Sequence, residues 1–181
     1  MPRIMYAILS AILVSCAGLN RPSEHVIKGA KLTPYGGFHS LSHDSKKLRM
    51  GWNTKGEKWS IEAWVLNIEA APASLDAFKN LVKENEVIFK EKETYEVLDY
   101  EINGYPPKGG LAVLSKLKVK DKSADPGNAL LSAYELSCIH PTEKGLGYNV
   151  MISRRGNSIE PDSTFDNLAM KILDSFTFIK P

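Results

Sequence analysis

The hydrophobic pattern changes period several times along the chain, and each change predicts an element. Residues 4–14 form an apolar run of eleven without a charge. Residues 47–69 read as a β-hairpin: a strand over 47–52, a polar Asn53-Thr54-Lys55-Gly56 turn, and a long strand over 58–69. Trp59, Ile61, Ala63 and Val65 fall on one face of that strand, and Trp64, Leu66 and Ile68 on the other. A strand apolar on both faces requires cover on both sides. Pro72-Ala73-Ser74 then opens a helix with Ser74 as N-cap and Asp76 in the first turn. Leu75, Phe78, Leu81, Val82, Ile88 and Phe89 keep the helical spacing through Lys90. Period two returns over 93–103, 110–120, 130–140 and 146–154, four strands joined by short turns, hence an antiparallel meander. A last helix over 162–175 carries Phe165, Leu168, Ile172, Leu173 and Phe176 on one stripe. The sum is an α+β domain, with the hairpin and meander forming an antiparallel sheet covered by two helices.

Composition narrows the function classes. The chain has 181 residues, 43% hydrophobic and 24% charged, with 23 Lys plus Arg against 21 Asp plus Glu and a net charge of +2. A charge-driven nucleic-acid binder carries a clear basic excess, so nucleic acid is not an expected partner. Two cysteines make no disulfide framework.

The amino end reads as an address. One positive charge at Arg3 precedes the apolar run, which has the length and flanks of an export signal. Eleven helical residues reach about 16 Å, against a hydrocarbon core of roughly 30 Å, too short for a permanent span. The run ends in Leu13-Val14-Ser15-Cys16, which resembles the lipobox of bacterial lipoprotein precursors. That resemblance, confined to residues 1–16, implies cleavage before Cys16, a diacylglycerol on its thiol and a protein tethered to the membrane by acyl chains. Ala17 stands where an Asp would imply inner-membrane retention, so the periplasmic face of the outer membrane is implied. The alternative is an ordinary small-x-small cleavage site with Ser15 and Ala17, which would release a soluble secreted protein without acylation of Cys16. The expected organisation is a signal peptide over 1–15, the lipidated cysteine and a tether over 16–29, and one globular domain over 30–181.

The order of hairpin, helix, antiparallel strands and a terminal helix closing in Ile172-Leu173-Asp174-Ser175-Phe176-Thr177-Phe178 resembles the PsbP-like fold. That group joins an extrinsic photosystem subunit, a Ran-binding factor and bacterial lipoproteins of the DcrB type. The resemblance implies an α-β-α sandwich and a non-enzymatic accessory or binding role with another envelope protein as partner. It transfers no catalytic residue.

Several clusters carry candidate chemistry. His39 and His43 stand four apart with Asp44 following, and could offer three ligands to zinc if the segment were helical. The preceding Gly36-Gly37 and the interleaved Ser40 and Ser42 favour a polar loop, in which that spacing loses its meaning. The alternative function is therefore a metal- or small-ligand-binding envelope protein using these loops. Asp121, Ser123 and Asp125 alternate as in a calcium loop, but Pro126-Gly127 makes a simpler turn. Lys116, Lys118, Lys120 and Lys122 line one strand face, where pairing beside Glu93, Asp99 and Glu101 would neutralise them. Cys138 shares a face with Leu130, Tyr134 and Leu136, the place of a core thiol; His140 is the nearest candidate base. No Gly-x-Ser-x-Gly, Walker loop or dinucleotide fingerprint occurs, and neither an enzyme nor a cofactor is expected.

Overall fold

A computed structural model describes residues 23–54, 56–108, 110–125, 129–157 and 162–179; the leader, the lipobox and Cys16 lie outside them. Its strands are β1 (His25–Ile27), β2 (Ala30–Leu32), β3 (His39–His43), β4 (Lys47–Thr54), β5 (Glu57–Asn67), β6 (Tyr95–Gly104), β7 (Ala112–Asp121), β8 (Leu130–Ile139), β9 (Leu146–Gly156) and β10 (Thr177–Phe178). Its helices are α1 (Leu75–Asn85), α2 (Val87–Lys90) and α3 (Ser163–Ser175), with a 3₁₀ turn at Pro106–Lys108.

Seven strands form one antiparallel sheet in the order β3-β4-β5-β9-β8-β7-β6. The predicted hairpin and meander are fused into that sheet because β5 pairs with β9 from Lys58↔Arg155 to Asn67↔Leu146. A small sheet, β1-β2-β10, packs beside it, and its first strand lies in the stretch read as tether.

Alternation along the strands sorts the side chains onto two faces. On the first, Leu48, Ile61, Leu136, Val150 and Ile152 are buried with Phe165, Ala169, Ile172 and Leu173 of α3. Each such burial contributes about 1.5–3 kcal/mol. Aromatic rings extend this core: Trp52 against Trp59 and Trp59 against Phe165, each pair with centroids 5.2 Å apart. Asp162 caps α3 by accepting from the Thr164 amide at 2.9 Å, and it also holds the buried Arg154 at 2.7 Å. On the second face α1 and α2 lie against β6, and α1 also against β7. Ile88, Leu117, Val119 and Ala133 form a smaller core there. The protein is an α+β sandwich, a sheet between helical layers.

Two elements differ from expectation for identifiable reasons. The helix read through to Lys90 breaks at Glu86, whose φ of −61° and ψ of 122° are extended, so α2 restarts as a separate turn. Segment 39–43, read as a polar loop, is the edge strand β3, exposed at all five positions and bulged between Ser40 and Ser42. An edge strand without an apolar face leaves no alternation to read, and its bulge and polar side chains blunt edge-to-edge pairing.

Candidate functional site

Glu135 sits in the middle of β8, next to Tyr134 and Leu136 on the opposite face, so the pleat turns its carboxyl under α1. Glu86 arrives from the other side, at the break between α1 and α2. Both are buried, with 8% and 9% of their surface exposed. The Asn149 amide of β9 donates from Nδ2 to Glu135 Oε1 at 2.5 Å, and Ser137 donates to Asn149 Oδ1 at 3.2 Å. Glu86 Oε1 is fully buried and has no hydrogen-bond partner.

These groups line a cavity of about 160 Å³ between the sheet, which supplies Leu66, Glu135, Ser137 and Asn149, and α1 with its C-cap, which supplies Phe78, Leu81 and Glu86; Ile68, just past β5, completes the lining. Burial, and then the charge of Glu135, push the Glu86 carboxyl up to about 8. Burial also raises Glu135, while the hydrogen bond from Asn149 pulls it back. At neutral pH the Glu86 carboxyl is therefore held in its acid form. Near it, the Tyr100 phenol of β6 is 3.4 Å from Ser115 Oγ of β7; burial raises that phenol and the two glutamates add to the shift. Apart from the acid proton of Glu86, the arrangement is poor in donors, because the Asn149 amide is engaged at both ends.

The residues singled out from sequence go elsewhere. His43 Nε2 is 2.8 Å from the Val26 carbonyl, and its ring meets His25 edge-on at 5.4 Å. Asp44 accepts from the amides of Lys46 and Lys47 at 2.7 and 2.8 Å, closing the β3–β4 turn, and those bonds hold its carboxyl below the usual range. His39 stands at the start of the exposed edge strand. Among the described residues no three His, Cys, Asp or Glu side chains gather closely enough to hold a metal ion.

Asp121 accepts from Ser123 N and Oγ at 3.0 and 2.7 Å and from Arg155 Nη1 at 2.7 Å; the Ser123 hydroxyl, then Arg155, hold it below the usual range. Residues 126–128 of that loop lie outside the description. Cys138 is in the first-face core, its thiol pushed by burial up to about 12, far from a thiolate at neutral pH. His140 Nδ1 accepts from the Glu143 amide at 2.9 Å, closing its own turn, while its Nε2 is buried without a hydrogen-bond partner, 3.9 Å from Glu143 Oε1. The lysine stripe pairs as the register anticipates, Lys116 opposite Glu101 and Lys118 opposite Asp99. Lys120 faces Glu96, a residue not among the expected neighbours, and the ladder shifts between Val97 and Asp99.

Glu86 and Glu135 were not among the sequence candidates. Glu135 left a signal: a carboxylate on the second face of a strand whose first face carries Tyr134, Leu136 and Cys138, in a sheet covered on both sides. Glu86 left none, since a glutamate near the end of an amphipathic helix reads as solvated.

No family model matches the sequence, and no curated protein does. Solved structures share the fold. A mutant of the protein Mog1 aligns with a TM-score of 0.54 at 12% identity, covering 88% of this chain and 96% of the other. The Ran-binding protein Mog1p of Saccharomyces cerevisiae aligns at 0.51 and 11%, over 88% and 97%. The cyanobacterial PsbP of Synechocystis aligns at 0.52 and 12%, over 92% and 99%. Likeness at this level of identity shows the shared sandwich, PsbP-like and Mog1-like, and brings no site residue with it.

Proposed function

We propose that the chain is a non-enzymatic binding or assembly accessory protein of a bacterial envelope, anchored by acyl chains on Cys16 at the periplasmic face of the outer membrane. Its partner is another envelope protein, and it binds no nucleic acid. The anchoring half of the reading rests on the Leu13-Val14-Ser15-Cys16 sequence behind an eleven-residue apolar run.

The binding half rests on the cavity under α1. Its buried carboxyls face apolar walls with no thiol beside them, the described cysteine being locked in the opposite face. At about 160 Å³ the cavity is well below the roughly 300–1,000 Å³ of pockets that enclose a drug-sized substrate. One solved structure of the same fold is that of a Ran-binding protein, in keeping with a scaffold that serves protein partners.

Expression of the full chain with labelled palmitate tests the anchor. Wild type takes up label and fractionates with membranes, and Cys16→Ala does neither. Mature protein in the soluble fraction that begins at Gly18, with Cys16 cut away, would establish secretion without a lipid.

A further inference from the structure

Apart from the acid proton of Glu86, the cavity under α1 has few donors of its own. Glu135 receives its donor from Asn149, and Asn149 receives its own from Ser137, so the chain of hydrogen bonds runs one way and ends at the carboxyl. Glu86 Oε1, fully buried at the rim of the same space, receives nothing. An unpaired buried acceptor costs about 1–3 kcal/mol, so its position asks for a donor from outside. Hydrocarbon lies beside each carboxyl, Phe78 and Leu81 on the α1 side with Glu86, and Leu66 and Ile68 on the sheet side with Glu135. At about 160 Å³ the space takes about five water-sized groups.

We propose that this cavity binds a primary ammonium on a short alkyl chain, its N–H donors bridging Glu86 and Glu135 and its methylenes lying along Leu66, Ile68 and Phe78. Two sources supply that group: a free small amine, and a lysine side chain of a partner. The proposal deepens the binding half of the function given above and is independent of the lipid half, so an empty cavity would leave acylation of Cys16 untouched.

The groups facing Glu86 and Glu135 set the pH dependence. They are Tyr100 from β6, Ser115 from β7, Ser137 from β8, Asn149 from β9 and Asn85 from α1. None of these is a cation; the ammonium on α2, Lys90, is bonded to Asn85 Oδ1 at 3.3 Å. Entry of an ammonium then displaces the proton of Glu86 into solvent, and binding tightens as pH rises toward 8.

The test is calorimetric titration of the full chain in detergent with n-butylamine, with N-acetyl-lysine methylamide and with n-butanol as the uncharged isostere. The expected result is saturable binding of at least one amine, with a dissociation constant of about 1 mM. With Glu86 at about 8, it should tighten roughly twentyfold between pH 6 and 7.5, release close to one proton and weaken at least tenfold in both Glu86→Gln and Glu135→Gln. Butylamine alone identifies a free amine as the natural ligand class; binding of the lysine analogue identifies a partner side chain. Glu86→Gln keeps the shape of the site, and circular dichroism confirms the fold of both variants. Absence of binding by either amine to wild type, equal binding of butanol, or amine binding unchanged in folded Glu86→Gln or Glu135→Gln would each overturn the proposal.

Discussion

The two faces of the central sheet are made by alternate residues of the same strands, yet they obey different rules. The face under α3 is mostly apolar and aromatic, from Leu48 and Ile61 through Val150 and Ile152 to Phe165, and its buried cation, Arg154, is paired with Asp162 and Glu57. The face under α1 and α2 mixes a small core around Leu117 and Val119 with Ser115, Glu135 and Ser137, all buried. A pleated strand inserts a polar group on one side without disturbing the other, because neighbouring side chains point apart. The first face can therefore hold the fold at maximum packing while the second keeps a cavity and two glutamates that a purely stable protein would replace with leucine. A local rule broken at a buried position, with no compensating partner, marks a place where function outweighs stability.

Truncating the first face should have the largest effect. Phe165 packs edge-on against Trp59, lies 5.8 Å from the Tyr134 ring and takes the Arg154 guanidinium at 5.2 Å. Phe165→Ala should cost about 3–5 kcal/mol, and by nearly the same amount at pH 5 and pH 8, since no neighbour titrates between them. Urea denaturation at both pH values measures it. A cost that changed strongly with pH would show that the two faces are not independent.

The second face should behave oppositely. Glu86 has an ordinary value of 4.5 and a folded value of about 8, so the folded state binds the extra proton between those limits. Its contribution is intact below pH 4.5 and is lost as pH rises to 8. Glu86→Gln abolishes that loss. The variant should match wild type near pH 4 and exceed it by roughly 2 kcal/mol at pH 8, a figure discounted for water reaching the cavity. Thermal melts across pH 4–9 read it directly, and a difference that stays flat would mean that Glu86 is solvated.

The same contrast explains what the sequence reveals. Regular alternation in the hairpin and meander makes the seven-stranded sheet readable, because burial on a sheet face has a period that composition cannot hide. The β5–β9 pairing has no local signal; it joins residues about ninety apart, from Lys58 with Arg155 inward. The strands at either margin are short: β1 and β2 have three residues each, and β10 has two, too few for a period to show. The candidate site was hidden for a different reason. Glu86 continues a helical stripe in sequence, and only tertiary contact decides that the helix stops there and the carboxyl turns inward. His39, His43 and Asp44 were conspicuous by residue type, but the strand and turn that hold them spend Asp44 on backbone amides.

A middle-sized effect belongs at the seam where the start of α3 meets the ends of the central strands β5 and β9. Asp162 both caps α3 and neutralises Arg154, which retains Glu57 at 3.6 Å as a second partner. Asp162→Ala should cost about 1–2 kcal/mol, the loss of a cap plus part of an ion pair, and Asp162→Asn should recover the cap portion. Equal losses in the two variants would assign the whole effect to the charge.

The smallest effect should come from the lysine stripe, which looks important in sequence and lies in solvent in the structure. Lys116 Nζ is 3.9 Å from Glu101, with both side chains about half exposed, and it also lies 5.6 Å above the Tyr134 ring. An exposed pair of long side chains gains little in water and loses rotamer freedom when held. Glu101→Ala should change stability by less than about 0.5 kcal/mol, and 0.5 M salt should erase that difference. Lys116→Ala should cost slightly more than Glu101→Ala, because the ring contact is lost with the charge. A double-mutant cycle on these two residues separates the ion pair from the stacking. A coupling above about 1 kcal/mol would show that this rim of the sheet is organised rather than merely solvated, and that charge as well as packing distinguishes the two faces.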